Sequence, residues 1–193
     1  MSFLVVFSQE HMTFQGIPID GTIKSFHKQM KKHGFKLDFR LEDGYSYRGR
    51  YITNNDVIIV LFSPKSKKVQ GIAISVNFRE MADSKSWQRV KEYYDYVVTL
   101  FSEKYDTAKK EITACFEPPY EEGDGNEVEG IITGKCHYST LFVTPQGKIE
   151  VEIESSGYVQ FTHATEDIGK VIPIISIIIV DYANAEETKD IQL

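Results

Sequence analysis

Residues 14–22 read Phe-Gln-Gly-Ile-Pro-Ile-Asp-Gly-Thr, and they open the first of two passes of one pattern, an amphipathic helix followed by alternating strands. The two glycines allow tight backbone turns, and the proline stiffens the approach to the helix. Asp20 or Thr22 can cap the helix by accepting hydrogen bonds from its free amides. The stretch is therefore interpreted as a signature of the fold and not of catalysis.

The first pass continues with one helix and a set of strands that runs to about Phe78. Ile23, Phe26 and Met30 follow one another at spacings of three and four, which predicts a single buried stripe. Gly34 is a natural end for this helix. Beyond it, apolar residues alternate with polar ones between short turns, so the sequence predicts an antiparallel meander of four strands.

The second pass begins near Ser84 and runs to about Tyr182. Its helix carries a wide apolar face, made by Trp87, Val90, Tyr94, Val97, Val98, Phe101 and Tyr105. Strands are expected at 112–116, 136–144, 148–154, 158–163 and 171–182, and a short helix at 126–132. The last strand is so apolar that it is predicted to lie centrally in a sheet and to be buried on both faces.

These elements predict an α+β fold, in which a helix-plus-antiparallel-meander unit occurs twice in tandem. The units span residues 11–83 and 84–184 and together form one compact domain, with the helices packed on one face of a curved or joined sheet. Residues 185–193 form a polar tail. No residue-by-residue identity relates the two units.

Charge is divided unevenly between the two halves of the chain. Residues 1–110 carry 18 Lys and Arg against 12 Asp and Glu, whereas residues 111–193 carry 4 against 16. An acidic half repels phosphate, so the sequence argues against nucleic-acid binding. Halves of opposite charge instead predict attraction inside the molecule, or a homodimer in which basic and acidic halves meet.

The first residues and the two cysteines bear on the compartment. Residues 1–10 contain a short apolar run without a basic start, and they are interpreted as a signal-peptide remnant or an N-terminal strand. Export to the periplasm or cell surface is favoured, and a cytoplasmic location stays open. Cys115 and Cys136 match no zinc pattern, and either one disulfide or two free thiols fit their spacing. The longest apolar run, 171–180, has about half the length of a membrane span.

Motifs that carry chemistry are missing from the sequence. There is no GxSxG elbow, P-loop, GxGxxG or HExxH pattern, so no catalytic residue, cofactor or metal ligand is assigned. Cys136 and His137 are neighbours on a strand, and their side chains should point to opposite faces. Glu150, Glu152 and Glu154 share one strand face, and a cleft over them would raise the pKa of one carboxyl. His11 is expected in a mobile segment.

Candidate interaction or ligand residues rest on weaker signals. Tyr93 and Tyr96 lie beside the apolar stripe of the second helix, and Tyr120 lies in the acidic stretch 117–130, which has the least predicted structure. Tyrosine is enriched at protein interfaces because it brings a large contact area at low entropic cost. The full set is Tyr93, Tyr96, Tyr120, His137, Glu152 and His163.

The motif at 14–21 resembles one in a group of uncharacterised, mostly exported proteins of Bacteroidetes. In that group a signal peptide often ends just before a Gln, as at Ser8-Gln9 here. The layout of paired helices and meanders is also similar to the tandem fold of β-lactamase-inhibitor protein and TATA-binding protein, in arrangement alone. The resemblance implies export, and it implies no functional residue because the group has no established activity.

Three functional hypotheses remain open at this point. The favoured one is a non-enzymatic exported protein that binds another protein or a component of the cell envelope. The second is a small-ligand binder or hydrolase with a site between the sheet and the 117–130 stretch, using His137, His163 and Glu152. The third is a cytosolic inhibitor or immunity-type protein that presents its acidic surface to a basic target.

Overall fold

The computed structural model describes residues 11–52, 56–77, 86–155 and 173–185. The helices in these ranges are α1 (Ile23–Lys32), α2 (Ser86–Lys104), α3 (Glu127–Ile132) and α4 (Tyr182–Ala185). The strands are β1 (Thr13–Phe14), β2 (Ile17–Pro18), β3 (Lys36–Arg40), β4 (Gly44–Gly49), β5 (Asp56–Phe62), β6 (Val69–Asn77), β7 (Lys109–Phe116), β8 (Cys136–Val143), β9 (Gly147–Ser155) and β10 (Pro173–Asp181). The strand predicted at 158–163 and the predicted features of 1–10 and 186–193 lie outside the described residues.

One antiparallel sheet of eight strands forms the body of the protein. Its order is β3-β4-β5-β6-β10-β9-β8-β7, so each meander of four strands keeps its sequence order. The two meanders join where β6 pairs with β10. The predicted α+β class and the central position of the last strand are confirmed.

The 14–22 stretch shapes the entry to α1. Gln15 and Gly16 both have positive φ and turn β1 back onto β2. Thr22 is the N-cap, because its side chain accepts a hydrogen bond from the Ser25 amide at 3.3 Å. The three residues of the predicted stripe are buried, namely Ile23, Phe26 and Met30. The motif therefore sets backbone geometry, as the sequence predicted.

All three longer helices pack on one face of the eight-stranded sheet, which we call the helix face. His27 of α1 contacts Tyr47 of β4, with 2.9 Å between ring nitrogen and hydroxyl. Tyr94 of α2 contacts Thr140 of β8, with 2.6 Å between their hydroxyl oxygens. Ile131 of α3 belongs to the same buried core. Aliphatic residues of the central strands lie beneath them: Ile58, Val60, Ile72, Ile74, Val76, Ile149, Val151, Ile153, Ile175, Ile177 and Ile179.

The stretch 117–130 has more structure than its composition predicts. The Asp124 carboxylate accepts hydrogen bonds from the amides of Glu121 and Asn126, at 3.0 and 2.7 Å. Glu127 is buried and accepts a hydrogen bond from the Gly123 amide at 2.8 Å. These carboxylates order the stretch by accepting hydrogen bonds from local backbone amides. Some of its acidic residues therefore have a structural role.

His11 differs from its prediction as well. Its Nδ1 lies 3.1 Å from a carboxylate oxygen of Asp181, a residue with no exposed surface. The other oxygen of Asp181 accepts a hydrogen bond from the Met12 amide at 2.6 Å. The segment expected to be mobile is therefore tied to the end of β10.

None of the helices in the described ranges is long and apolar enough to cross a membrane. Both cysteines are free thiols: Cys115 is exposed and Cys136 is buried. Burial raises the pKa of the Cys136 thiol, which makes it less reactive.

Candidate binding face

The face of the sheet opposite the helices, which we call the open face, carries half-buried aliphatic side chains on strands on both sides of β9. Antiparallel register aligns them in rows: Leu61 is opposite Gly71 and Gly71 opposite Val180, while Ile59 is opposite Ala73 and Ala73 opposite Ile178. None of α1, α2 or α3 covers this face. The aliphatic members are Val57, Ile59, Leu61, Ala73, Leu141, Val143, Ile178 and Val180.

Three carboxylates form a column along β9 on this open face. Glu150, Glu152 and Glu154 alternate with buried residues of the helix face, so the shared face predicted from their spacing is observed. All three are only half-buried. In the described part of the chain none of them forms a salt bridge, so three neighbouring carboxyl groups have no cationic partner there.

Burial and mutual repulsion change the acidity of this column. Burial, and then the charges of Glu154 and Glu150, raise the pKa of Glu152 to about 7. Burial also raises the pKa of Glu154, although its hydrogen bond with Glu152 works in the opposite direction. Burial and the neighbouring carboxylates thus disfavour the charged form of Glu152.

Hydroxyl side chains flank Glu152 on both sides. The register places Ser176 of β10 on one side and Ser139 of β8 on the other. The same row continues to Ser75 of β6 and to Thr113 of β7. We call these four residues with Glu152 the polar row, and it crosses five adjacent strands of the open face.

Ser176 is the most informative member of the polar row. The residue is only 8% exposed, but its Oγ is not among the fully enclosed oxygens that lack a partner, and no hydrogen bond joins it to another residue in the described part of the chain. A hydroxyl in this position can donate to, or accept from, a group that docks on the open face. Sequence reasoning missed Ser176, since nothing in the sequence around it predicts that it lies opposite Glu152.

His137 lies opposite Cys115 of β7 and not beside the side chain of its sequence neighbour Cys136. Cys136 lies on the helix face, so the prediction that the two side chains point apart is confirmed. Cys115 of β7 is directly opposite His137, and both are exposed on the open face at the edge of the sheet. No hydrogen bond joins them, and the described residues contain no group of three or more His, Cys, Asp or Glu able to hold a metal.

The remaining candidates from the sequence do not join this group. Tyr93 and Tyr96 lie on the solvent side of α2, at 42% and 54% exposed. Tyr120 packs against the core beside Gly130, on the helix face. His163 lies outside the described residues. Glu152 and the 117–130 stretch therefore lie on opposite sides of the sheet, and the structure does not assemble a site between them.

Comparisons of the chain with protein-family models, with curated proteins and with solved structures found no match. The geometry of the open face is therefore the main basis for a function.

Proposed function

We propose that this is a non-enzymatic binding protein that holds a protein partner against the open face of its sheet. The observation that carries the proposal is the group of eight half-buried aliphatic side chains on a face that none of the longer helices covers. Along the strands of an antiparallel sheet with one solvated face, the side chains that point to solvent are normally polar. Here the outward residues of β5 are Val57, Ile59 and Leu61.

The chemical mixture of this face fits a partner surface better than a catalytic cleft. Aliphatic area supplies the non-directional part of binding, because water leaves it when a partner docks. The carboxylate column and the hydroxyls fix orientation, since polar groups at an interface must meet complementary groups. The resemblance to exported Bacteroidetes proteins supports a partner in the cell envelope or outside the cell.

A site-specific photo-crosslinker tests this proposal directly. Benzoylphenylalanine placed at Leu61 lies on the open face, and the same group at Glu122 lies in the exposed acidic stretch on the other side of the molecule. In cells that naturally make the protein, we expect irradiation to give an adduct of defined mass from position 61 and none from position 122.

Equal adducts from both positions, or no adduct from position 61, would contradict the proposal. Circular dichroism spectra that match the wild type establish that each substituted protein is folded before the comparison is made. Purified protein irradiated alone identifies adducts between two copies of the chain.

A further inference from the structure

We propose that Glu150, Glu152 and Glu154, with the hydroxyls of the polar row, bind a lysine or arginine side chain that the partner presents between apolar residues. The inference rests on the proposed function, because it names the chemistry of the segment that docks on the open face. It goes further by assigning a specificity site within that face.

The carboxylate column is complementary in charge to a basic side chain. Successive carboxylates on one side of a strand are about 7 Å apart, close enough to repel one another when partly removed from water. Lys148 lies on the same side of β9 but pairs with none of them in the described part of the chain. The facing strand β10 contributes no charged side chain between Ile174 and Val180. A cation from outside the molecule would relieve this repulsion.

Among the described residues, the other titratable groups of the neighbouring strands do not neutralise the column. On β8 the outward titratable residue is His137, and on β7 the outward charged residues are Lys109 and Glu111. Lys109 Nζ lies 2.6 Å from a carboxylate oxygen of Glu111, so its charge is already paired. The column therefore faces the partner as an acidic strip.

The Ser176 hydroxyl beside Glu152 forms no hydrogen bond with another described residue and can serve a ligand. An ammonium group offers three donors and a guanidinium group five. One carboxylate cannot accept all of these, but the adjacent Ser176 and Ser139 oxygens supply further acceptors in the same row. A bound cation would give the Ser176 hydroxyl a partner that no residue in the described part of the chain provides.

Aliphatic side chains lie on both sides of the carboxylate column. Leu141 lies opposite Glu150 on β8, and Ile178 lies opposite it on β10. A segment that places a basic side chain over the column therefore puts its neighbouring side chains over aliphatic surface. This favours a peptide segment with alternating basic and apolar residues over a free polyamine, which has no apolar side chains to place there.

A peptide display library provides the probe for this inference. Random 12-residue peptides are selected on the wild-type protein, and the enriched sequences are synthesised for fluorescence anisotropy. Affinity is compared with that of the triple variant Glu150→Gln, Glu152→Gln and Glu154→Gln. The matched control is Glu117→Gln, Glu121→Gln and Glu122→Gln, which removes the same charge from exposed positions of the acidic stretch.

We expect enriched peptides to carry Lys or Arg between apolar residues. The column variant should bind them roughly tenfold more weakly, and the control variant should bind them like the wild type. Replacing the basic residue of the peptide by norleucine should make wild type and column variant equal. Circular dichroism is recorded for each variant before binding is measured. If the triple variant of the column has lost its folded signal, the single variant Glu154→Gln is used in its place.

Failure of the inference and failure of the proposed function give different results. If Leu61→Arg abolishes binding but the peptides carry no basic residue, or bind the column variant equally, the open face binds and the basic-residue inference is wrong. If no selected peptide depends on Leu61, both proposals fail. Spermidine is added as a competitor at equal peptide occupancy of the two proteins. If it displaces the peptides from the wild type but not from the column variant, the column is assigned to a polyamine instead.

Discussion

Ile177 and Ile178 are consecutive residues of β10, yet they belong to different environments. Ile177 has no exposed surface and lies under the helices, whereas Ile178 is half-buried on the open face. The same alternation continues on β9, where Val151 is buried and Glu150 and Glu152 are not. One strand thus contributes to the core with one set of side chains and to the candidate binding face with the other.

Because successive side chains of a strand point to opposite faces, alternate residues contribute to the stability of the core and to the candidate binding face. A side chain on the helix face is enclosed on all sides, so its removal leaves a cavity that the close-packed core cannot fill. A side chain on the open face borders solvent, so its removal exposes little new surface. Substitutions on the two faces should therefore have different measurable consequences.

The largest expected effect comes from comparing Ile177→Ala with Ile178→Ala. We expect Ile177→Ala to lower the free energy of unfolding by about 3 kcal/mol, because it removes buried methyl groups and leaves a cavity. Ile178→Ala should cost about 1 kcal/mol or less. Chemical denaturation followed by circular dichroism measures both, and equal losses would show that the open face is as enclosed as the helix face.

A smaller effect concerns the dependence of stability on pH. The pKa of Glu152 is raised from 4.5 to about 7 in the folded protein, so the folded state binds more protons than the unfolded state between these values. The stability that this group contributes is fully present below about pH 4.5 and is lost as the pH rises through 7. Glu152→Gln should remove this loss.

We therefore expect the unfolding free energy of Glu152→Gln to exceed that of the wild type at pH 8 by about 1 to 2 kcal/mol, because solvent screening of this half-buried group reduces the full effect of the pKa shift. The difference should shrink towards pH 5. Urea titrations at several pH values measure it, with Glu122→Gln as an exposed control. Parallel profiles for wild type and Glu152→Gln would mean that the carboxylate column is hydrated like an ordinary surface.

Most of the fold could be predicted because its signals are local. The spacing of Ile23, Phe26 and Met30 predicts α1 without knowledge of the sheet, and the strand alternation predicts both meanders. The apolar composition of β10 predicts burial on both faces, but the structure buries its side chains fully only on the helix face at Ile175, Ile177 and Ile179. Ile178 and Val180 are half-buried, since an apolar run does not reveal whether anything covers its second face.

The candidate site could be predicted only in part because its other components depend on register. The alternation along β9 predicts that Glu150, Glu152 and Glu154 share a face. That Ser176 and Ser139 flank Glu152 follows from pairing between strands far apart in sequence, and a shift of one residue would reverse every side chain. The opposition of Cys115 and His137 was missed for the same reason.

The smallest expected effect is at Tyr96, which tests whether the partner surface lies on α2 instead. Tyr96 is 54% exposed, so Tyr96→Ser should change the unfolding free energy by no more than about 0.5 kcal/mol. It should leave the affinity for selected peptides within twofold of the wild type. Tyr94→Ser is the matched contrast on the same helix, because Tyr94 is buried and bonded to Thr140, and it should destabilise the fold strongly. A folded Tyr96→Ser variant that binds the peptides tenfold more weakly would move the interface from the open face to the solvent side of α2.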